Sequence, residues 1–213
     1  PRFKTRALDT MAGHIDIALA DMDGDGDLDI VDGIAQHLER IDLWTNDGKG
    51  RFQRRTIFRG ETPLWGLIGL RVIDIDGDGD LDILHFNGDT LDAPKVAAFQ
   101  GVHLLENDGK GGFVSRQLAQ LPGTHSLDVA DFDGDGRLDV IAVANLAPGI
   151  HETLWSSKET PPAHVDMESV LLLRQEKSGR FTVHSVLRNS TCFSAVKAFD
   201  WDGDGDQDVI LGP

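Results

Sequence analysis

DMDGDGDLD, residues 21–29, returns as DIDGDGDLD (74–82), DFDGDGRLD (131–139) and DWDGDGDQD (200–208). Counted from its first aspartate, every copy carries carboxylates at positions 1, 3, 5 and 9 and glycines at positions 4 and 6. Alternating carboxylates on a tightly curled loop can converge on one point, and calcium takes about six to eight oxygens at about 2.3–2.6 Å. The spacing therefore predicts about four Ca2+ sites. The ligand sets are Asp21, Asp23, Asp25, Asp27 and Asp29; Asp74, Asp76, Asp78, Asp80 and Asp82; Asp131, Asp133, Asp135, Arg137 and Asp139; and Asp200, Asp202, Asp204, Asp206 and Asp208. Position 7 (Asp27, Asp80, Arg137, Asp206) needs to offer only its backbone carbonyl, so an arginine is tolerated there.

An EF-hand opens with the same spacing but closes on a bidentate glutamate at its twelfth position, between two helices. Here that position holds Asp32, His85, Ala142 and Leu211, and the flanks are short runs such as HIDIALA and LDIV. Their alternating or β-branched character marks strands. Position 2 is always apolar (Met22, Ile75, Phe132, Trp201), as expected of a plug that anchors each loop on a core.

The chain has 213 residues and a formal charge of −16, which disfavours nucleic acid as a partner. Nineteen of its 36 acidic residues lie in the four loops, so bound cations would cancel much of that charge. No apolar run approaches the roughly eighteen residues of a membrane span, and the start carries no signal-peptide pattern. These features read as a soluble, mature or trimmed chain with no membrane insertion. Cys192 is the sole cysteine, which rules out an intrachain disulfide. Weak preformed calcium loops fill at extracellular calcium levels, so the expected location is extracellular, cell-surface or periplasmic.

Self-similarity extends beyond the loops. A strand precedes each one (14–20, 67–73, 125–130, 193–199), and a second, LDIV, LDIL, LDVI or QDVI, follows. A third (41–44, 102–106, 170–175) ends in a turn such as NDGKG, and a fourth opens on an aromatic (51–58, 112–118, 180–187). RFKTRAL, residues 2–8, is a further copy of the fourth strand. Four antiparallel strands recurring at 53, 57 and 69 residues describe an all-β chain of propeller blades. The expected division is a closing strand 4 at 2–8, blades at 13–58, 67–119 and 124–187, and a partial blade at 192–213.

These loops and the LLENDGKGGF hairpin resemble FG-GAP/VCBS repeats, the calcium-loop blades of integrin α-subunit propellers and many bacterial surface proteins. The chain lacks clear FG and GAP tripeptides, so the bacterial branch is the closer likeness. Propellers of that family usually have seven blades. Two closures fit: a four-bladed ring in which residues 2–8 complete the last blade, or a segment of a longer propeller or larger assembly. The resemblance implies binding of a protein or a carbohydrate.

In an up-and-down blade the calcium loop and the 3–4 turn share one face, and the longer 2–3 connections lie opposite. Lengthening loops on one face are the usual carriers of binding, which places a ligand on the face away from calcium. Three residues before the loops stand Ala18, Arg71, Asp128 and Lys197; five before stand Asp16, Gly69, Ser126 and Ala195. At the hub these charges are a chain of mutual ion pairs or a polar channel lining. Trp44 and Trp201 occupy repeat positions expected in the core. Trp65 and Trp155 lie on connections, where an indole either packs on the ring or meets a ligand. His14, His37, His151 and His164 have no metal-binding spacing. Asp89 and Asp92 form an acid–base pair or simply a turn.

An enzyme, such as a sugar lyase or dehydratase of the kind found among related propellers, would need Arg71, His85, Asp89, His103 and His125 to converge on one pocket. No nucleophile elbow, phosphate loop or dinucleotide fingerprint is present. A subunit whose role is assembly is a third reading.

Overall fold

The computed structural model describes residues 3–36, 38–89, 96–146, 167–188 and 193–213. Fourteen strands and no helix are found among them. The first sheet contains β1 (His14–Ala20), β2 (Asp29–Ile34), β3 (Arg40–Asn46) and β4 (Phe52–Arg59), in the order β1-β2-β3-β4. The second contains β5 (Leu67–Ile73), β6 (Asp82–Asn87), β7 (Gly101–Asn107) and β8 (Phe113–Gln120), and the third β9 (Thr124–Ala130), β10 (Asp139–Ala144), β11 (Glu168–Gln175) and β12 (Phe181–Arg188). A two-stranded sheet of β13 (Ala195–Phe199) and β14 (Asp208–Gly212) follows. All pairings are antiparallel between chain neighbours, the up-and-down order expected of blades.

Each sheet buries one face against the next because a four-stranded sheet alone cannot exclude water from both. Inner strands meet in succession, β1 on β5, β5 on β9 and β9 on β13. Val31 of the first sheet joins Leu70, Ile83 and Leu105 of the second. Leu84 and Phe86 of the second join Leu127, Val140 and Leu173 of the third. Ile141 and Val143 then meet Val196. The plug positions follow the same rule, with Met22 and Ile75 buried in the core ahead of their own blade.

Hub charges are paired between blades. Arg71 lies 3.6 Å from Asp16, and Lys197 lies 3.3 Å from Asp128. Both carboxylates also accept a neighbouring blade's backbone N–H, from Leu70 at 3.0 Å and from Ala198 at 2.9 Å. Gly69 makes this approach possible: a Cβ there would sit 2.6 Å from the Phe86 ring and 3.0 Å from the Asp16 carboxylate. The mutual-pairing reading of the hub thus holds.

Two expectations fail. Residues 3–13 form no strand and do not complete β13–β14; they lie along the first blade, where Arg6 donates to the Gly50 carbonyl at 2.8 Å and Asp9 pairs with Arg54 at 2.6 Å. The inner-strand contacts among the described residues run β1–β5–β9–β13 and Ile17 of β1 stays exposed, so of the two closures the segment of a longer propeller agrees with the contacts and the compact four-bladed ring does not. Trp201, expected in the core, is exposed, because no following blade covers it.

Candidate metal centres and binding groove

The four acidic loops connect β1–β2, β5–β6, β9–β10 and β13–β14. Each is wound by its own side chains. The position-1 aspartate accepts the N–H of both loop glycines: Gly24 and Gly26 donate to Asp21 at 2.9 Å each, and the same bonds recur at Asp74, Asp131 and Asp200. Position 3 accepts from the position-5 N–H, and position 5 from the position-7 N–H, in all four copies. Gly24 and Gly26 take φ values of 75° and 92°, which side-chain-bearing residues rarely adopt.

Position 9 does more than its spacing foretold. Asp29 accepts the Met22 N–H at 3.0 Å with one oxygen and the Asn46 N–H at 2.8 Å with the other. Asp82 and Asp139 repeat this with Ile75 and Asn107, and with Phe132 and Gln175. The buried carboxylate thereby ties the loop and second strand to the 3–4 turn. Among the described residues, Asp208 keeps the bond from Trp201, at 2.9 Å, and has no 3–4 turn to tie down.

In each loop, oxygens of three aspartates lie within 4.8 Å of one another: Asp21, Asp23 and Asp29; Asp74, Asp76 and Asp78; Asp131, Asp133 and Asp139; Asp200, Asp202 and Asp208. Oxygens around an ion bound at about 2.3–2.6 Å have this spread, and an all-oxygen donor set suits a hard cation. These acidic clusters can hold metal ions. Position-7 carboxylates point elsewhere: Asp27 and Asp80 lie over Gly48 and Gly109 of the 3–4 turns, leaving only their carbonyls for a loop ion.

Burial and like charge raise several of these carboxyls. Desolvation, then the neighbouring loop carboxylates, lift Asp23 and Asp76 above the ordinary range, and Glu106 adds to the effect at Asp76. Asp82 is pushed up to about 6, mainly by burial. The third loop differs, since Arg137 contacts Asp135 and Arg174 of β11 contacts Asp133. Sequence reading found the first arginine. The second was missed because it reaches the loop only through the β10–β11 register.

A groove of about 380 Å³ opens on this same side, between the first two blades. Asp21, Asp23 and Asp80 border it, with Arg55 and Lys110 as cations and Phe113 and Leu81 as apolar floor. The long connections expected to bind fall largely at 90–95 and 147–166, outside the described residues. Asp92, His151, Trp155 and His164 in them, together with His37 and Cys192, lie outside the described residues.

The five enzyme candidates do not share a concave site. His85 and His103 stack at 5.0 Å in a solid aromatic core with Phe58, Trp65 and Phe99. Burial holds His85 well below its ordinary pKa and His103 at about 4. Arg71 is at the hub with Asp16, Asp89 sits at the Gly66 turn, and His125 lies at the start of β9. Trp65 is packed rather than presented to solvent.

The FG-GAP-like repeat model matches residues 34–85 and 86–142. No curated protein matches the chain. Among solved structures, a lectin of Agrocybe aegerita, described as specifically recognising non-reducing terminal N-acetylglucosamine, is similar with a TM-score of 0.56 and 20% identity over 93% of this chain. That alignment takes in 47% of the lectin, so the chain spans about half its length.

Proposed function

Because this chain belongs to the FG-GAP-like repeat family, we propose that it is a calcium-braced propeller module that binds a carbohydrate in the groove between its first two blades. The groove carries this reading. It sets Arg55 and Lys110 as donors and Asp23 and Asp80 as acceptors around an apolar floor at Phe113 and Leu81, the mixture that a pyranose ring and its hydroxyls require. The likeness to a lectin supports a carbohydrate as the ligand class.

Calcium would be held by the loop aspartates and would neutralise carboxylates that otherwise repel one another. Asp21 and Asp23 border the groove, so a filled first loop fixes its wall. A requirement for roughly millimolar calcium fits an extracellular, surface or periplasmic setting.

The test is a glycan array probed with calcium-loaded protein, including glycans that end in N-acetylglucosamine. A glycan signal that disappears in Lys110→Ala and Arg55→Gln variants of unchanged thermal stability supports the groove. Absence of binding to any glycan, or binding indifferent to both substitutions, overturns it.

A further inference from the structure

The groove between the first two blades has a counterpart between the second and third, and the two are lined differently. Register sets the correspondence. Arg55 and Arg116 are equivalent residues of β4 and β8, opposite Leu43 and Leu104, and Thr45 and Glu106 stand two residues further along β3 and β7. Asn107 and Gln175 each pair with the phenylalanine that opens the fourth strand, Phe113 and Phe181.

The arginine bridge is common to both grooves. Arg55 crosses to the 3–4 turn of the second blade, donating to the Gly111 carbonyl at 2.5 Å and lying 5.8 Å from the Phe113 ring centroid. Arg116 crosses to the third blade in the same way, donating to the Gly179 carbonyl at 3.3 Å and lying 5.9 Å from the Phe181 ring centroid.

What stands beside the arginine differs. In the first groove the Asn107 amide donates to the Leu81 carbonyl at 3.1 Å and the Thr45 hydroxyl to the Gln53 carbonyl at 3.4 Å, each within its own blade. In the second, Glu106 takes the place of Thr45 and pairs with Arg116 at 3.3 Å. Gln175, one methylene longer than the asparagine it replaces, sends its amide across to the second blade, where it donates to the Ile75 carbonyl at 2.9 Å. Arg137, in the place of Asp80, holds the Gln175 carbonyl at 2.9 Å. Gln175 is 5% exposed, so a ligand entering here would have to break a shielded bond and leave a buried carbonyl without its donor.

We propose that Glu106 and Gln175 shut the second groove, so that of these two grooves only the first takes a sugar, and that Thr45 and Asn107 are the residues that keep it open. The ligand rests on the carbohydrate reading above; the closure is a property of the unliganded chain.

Calorimetric titration of the calcium-loaded chain with the N-acetylglucosamine disaccharide counts the sites. Wild type is expected to bind one per chain. Thr45→Glu/Asn107→Gln, which moves the closing pair into the first groove, is expected to bind none at an undiminished melting temperature; Thr45→Glu alone serves if the pair misfolds. Glu106→Thr/Arg137→Asp/Gln175→Asn/Ser178→Lys, which gives the second groove the polar lining of the first, is expected to bind two. Two sites in wild type, undiminished binding by the closing variant, or one site in the opened variant would each overturn the proposal. Without ligand, Gln175→Asn is expected to melt below wild type because the bond between blades is lost, and an unchanged melting temperature overturns the closure. A wild type that binds no sugar removes the carbohydrate reading, and the melting comparison then decides the closure by itself.

Discussion

Asp82 accepts the backbone N–H of Asn107 at 2.8 Å, so a loop carboxylate anchors the turn between the third and fourth strands of its blade. Its other oxygen takes the Ile75 N–H at 3.3 Å. The residue is thus a brace in its own right, whether or not it also contacts an ion. Asp82→Ala is expected to cost about 2–3 kcal/mol in urea unfolding even with chelator present, because two backbone donors lose a charged acceptor. Asp78→Ala, in the exposed part of the loop, is expected to cost below about 1 kcal/mol under the same conditions. Equal losses from the two substitutions would refute the bracing role.

The third loop should be the weakest cation site. Arg137 and Arg174 occupy carboxylates that the other loops leave to an ion, and each adds repulsion toward it. Arg137→Gln combined with Arg174→Gln is expected to tighten the weakest calcium-binding step in calorimetry by about tenfold or more, a gain of about 1.4 kcal/mol per decade. A binding isotherm identical to wild type would show that the arginines swing clear.

At the hub, Lys197 pairs with Asp128 at 3.3 Å but is largely exposed, so Lys197→Ala is expected to cost less than about 1 kcal/mol. Asp128→Ala should cost more, since Asp128 also holds the Ala198 N–H at 2.9 Å. Chemical denaturation of the two single variants distinguishes them.

The stacked histidines impose an acid limit. Burial holds folded His103 at about 4 and His85 well below its ordinary value of 6.5, so the unfolded chain takes up protons first. Their contribution is intact above about pH 6.5 and is lost as pH falls toward 4, by on the order of 3 kcal/mol for His103. A His85→Leu/His103→Leu variant should show a correspondingly flatter stability profile across that window. Parallel profiles for variant and wild type would contradict this.

Local pattern made most of the fold legible. HIDIALA and LIGLRVI are strands over 14–20 and 67–73, as their alternation and the following loops require. What depended on a neighbour was not legible. RFKTRAL has the pattern of a fourth strand but no third strand beside it, and Arg6 and Asp9 instead bind the first blade. Trp201 has the pattern of a plug, yet a plug is buried only by the blade ahead of it. His85 and His103 meet through the β6–β7 register, at positions where the first blade has Asp32 and Asp42, so single-strand pattern gave no sign of their stack.

Calcium bound by the loop aspartates is proposed to hold the blades. Calorimetric titration of metal-stripped protein with calcium, followed by thermal unfolding of the same samples, addresses it most directly. About four equivalents bound, the last most weakly, with a marked rise in melting temperature is the expected result. Far fewer equivalents, or binding that leaves the melting temperature unchanged, would contradict it.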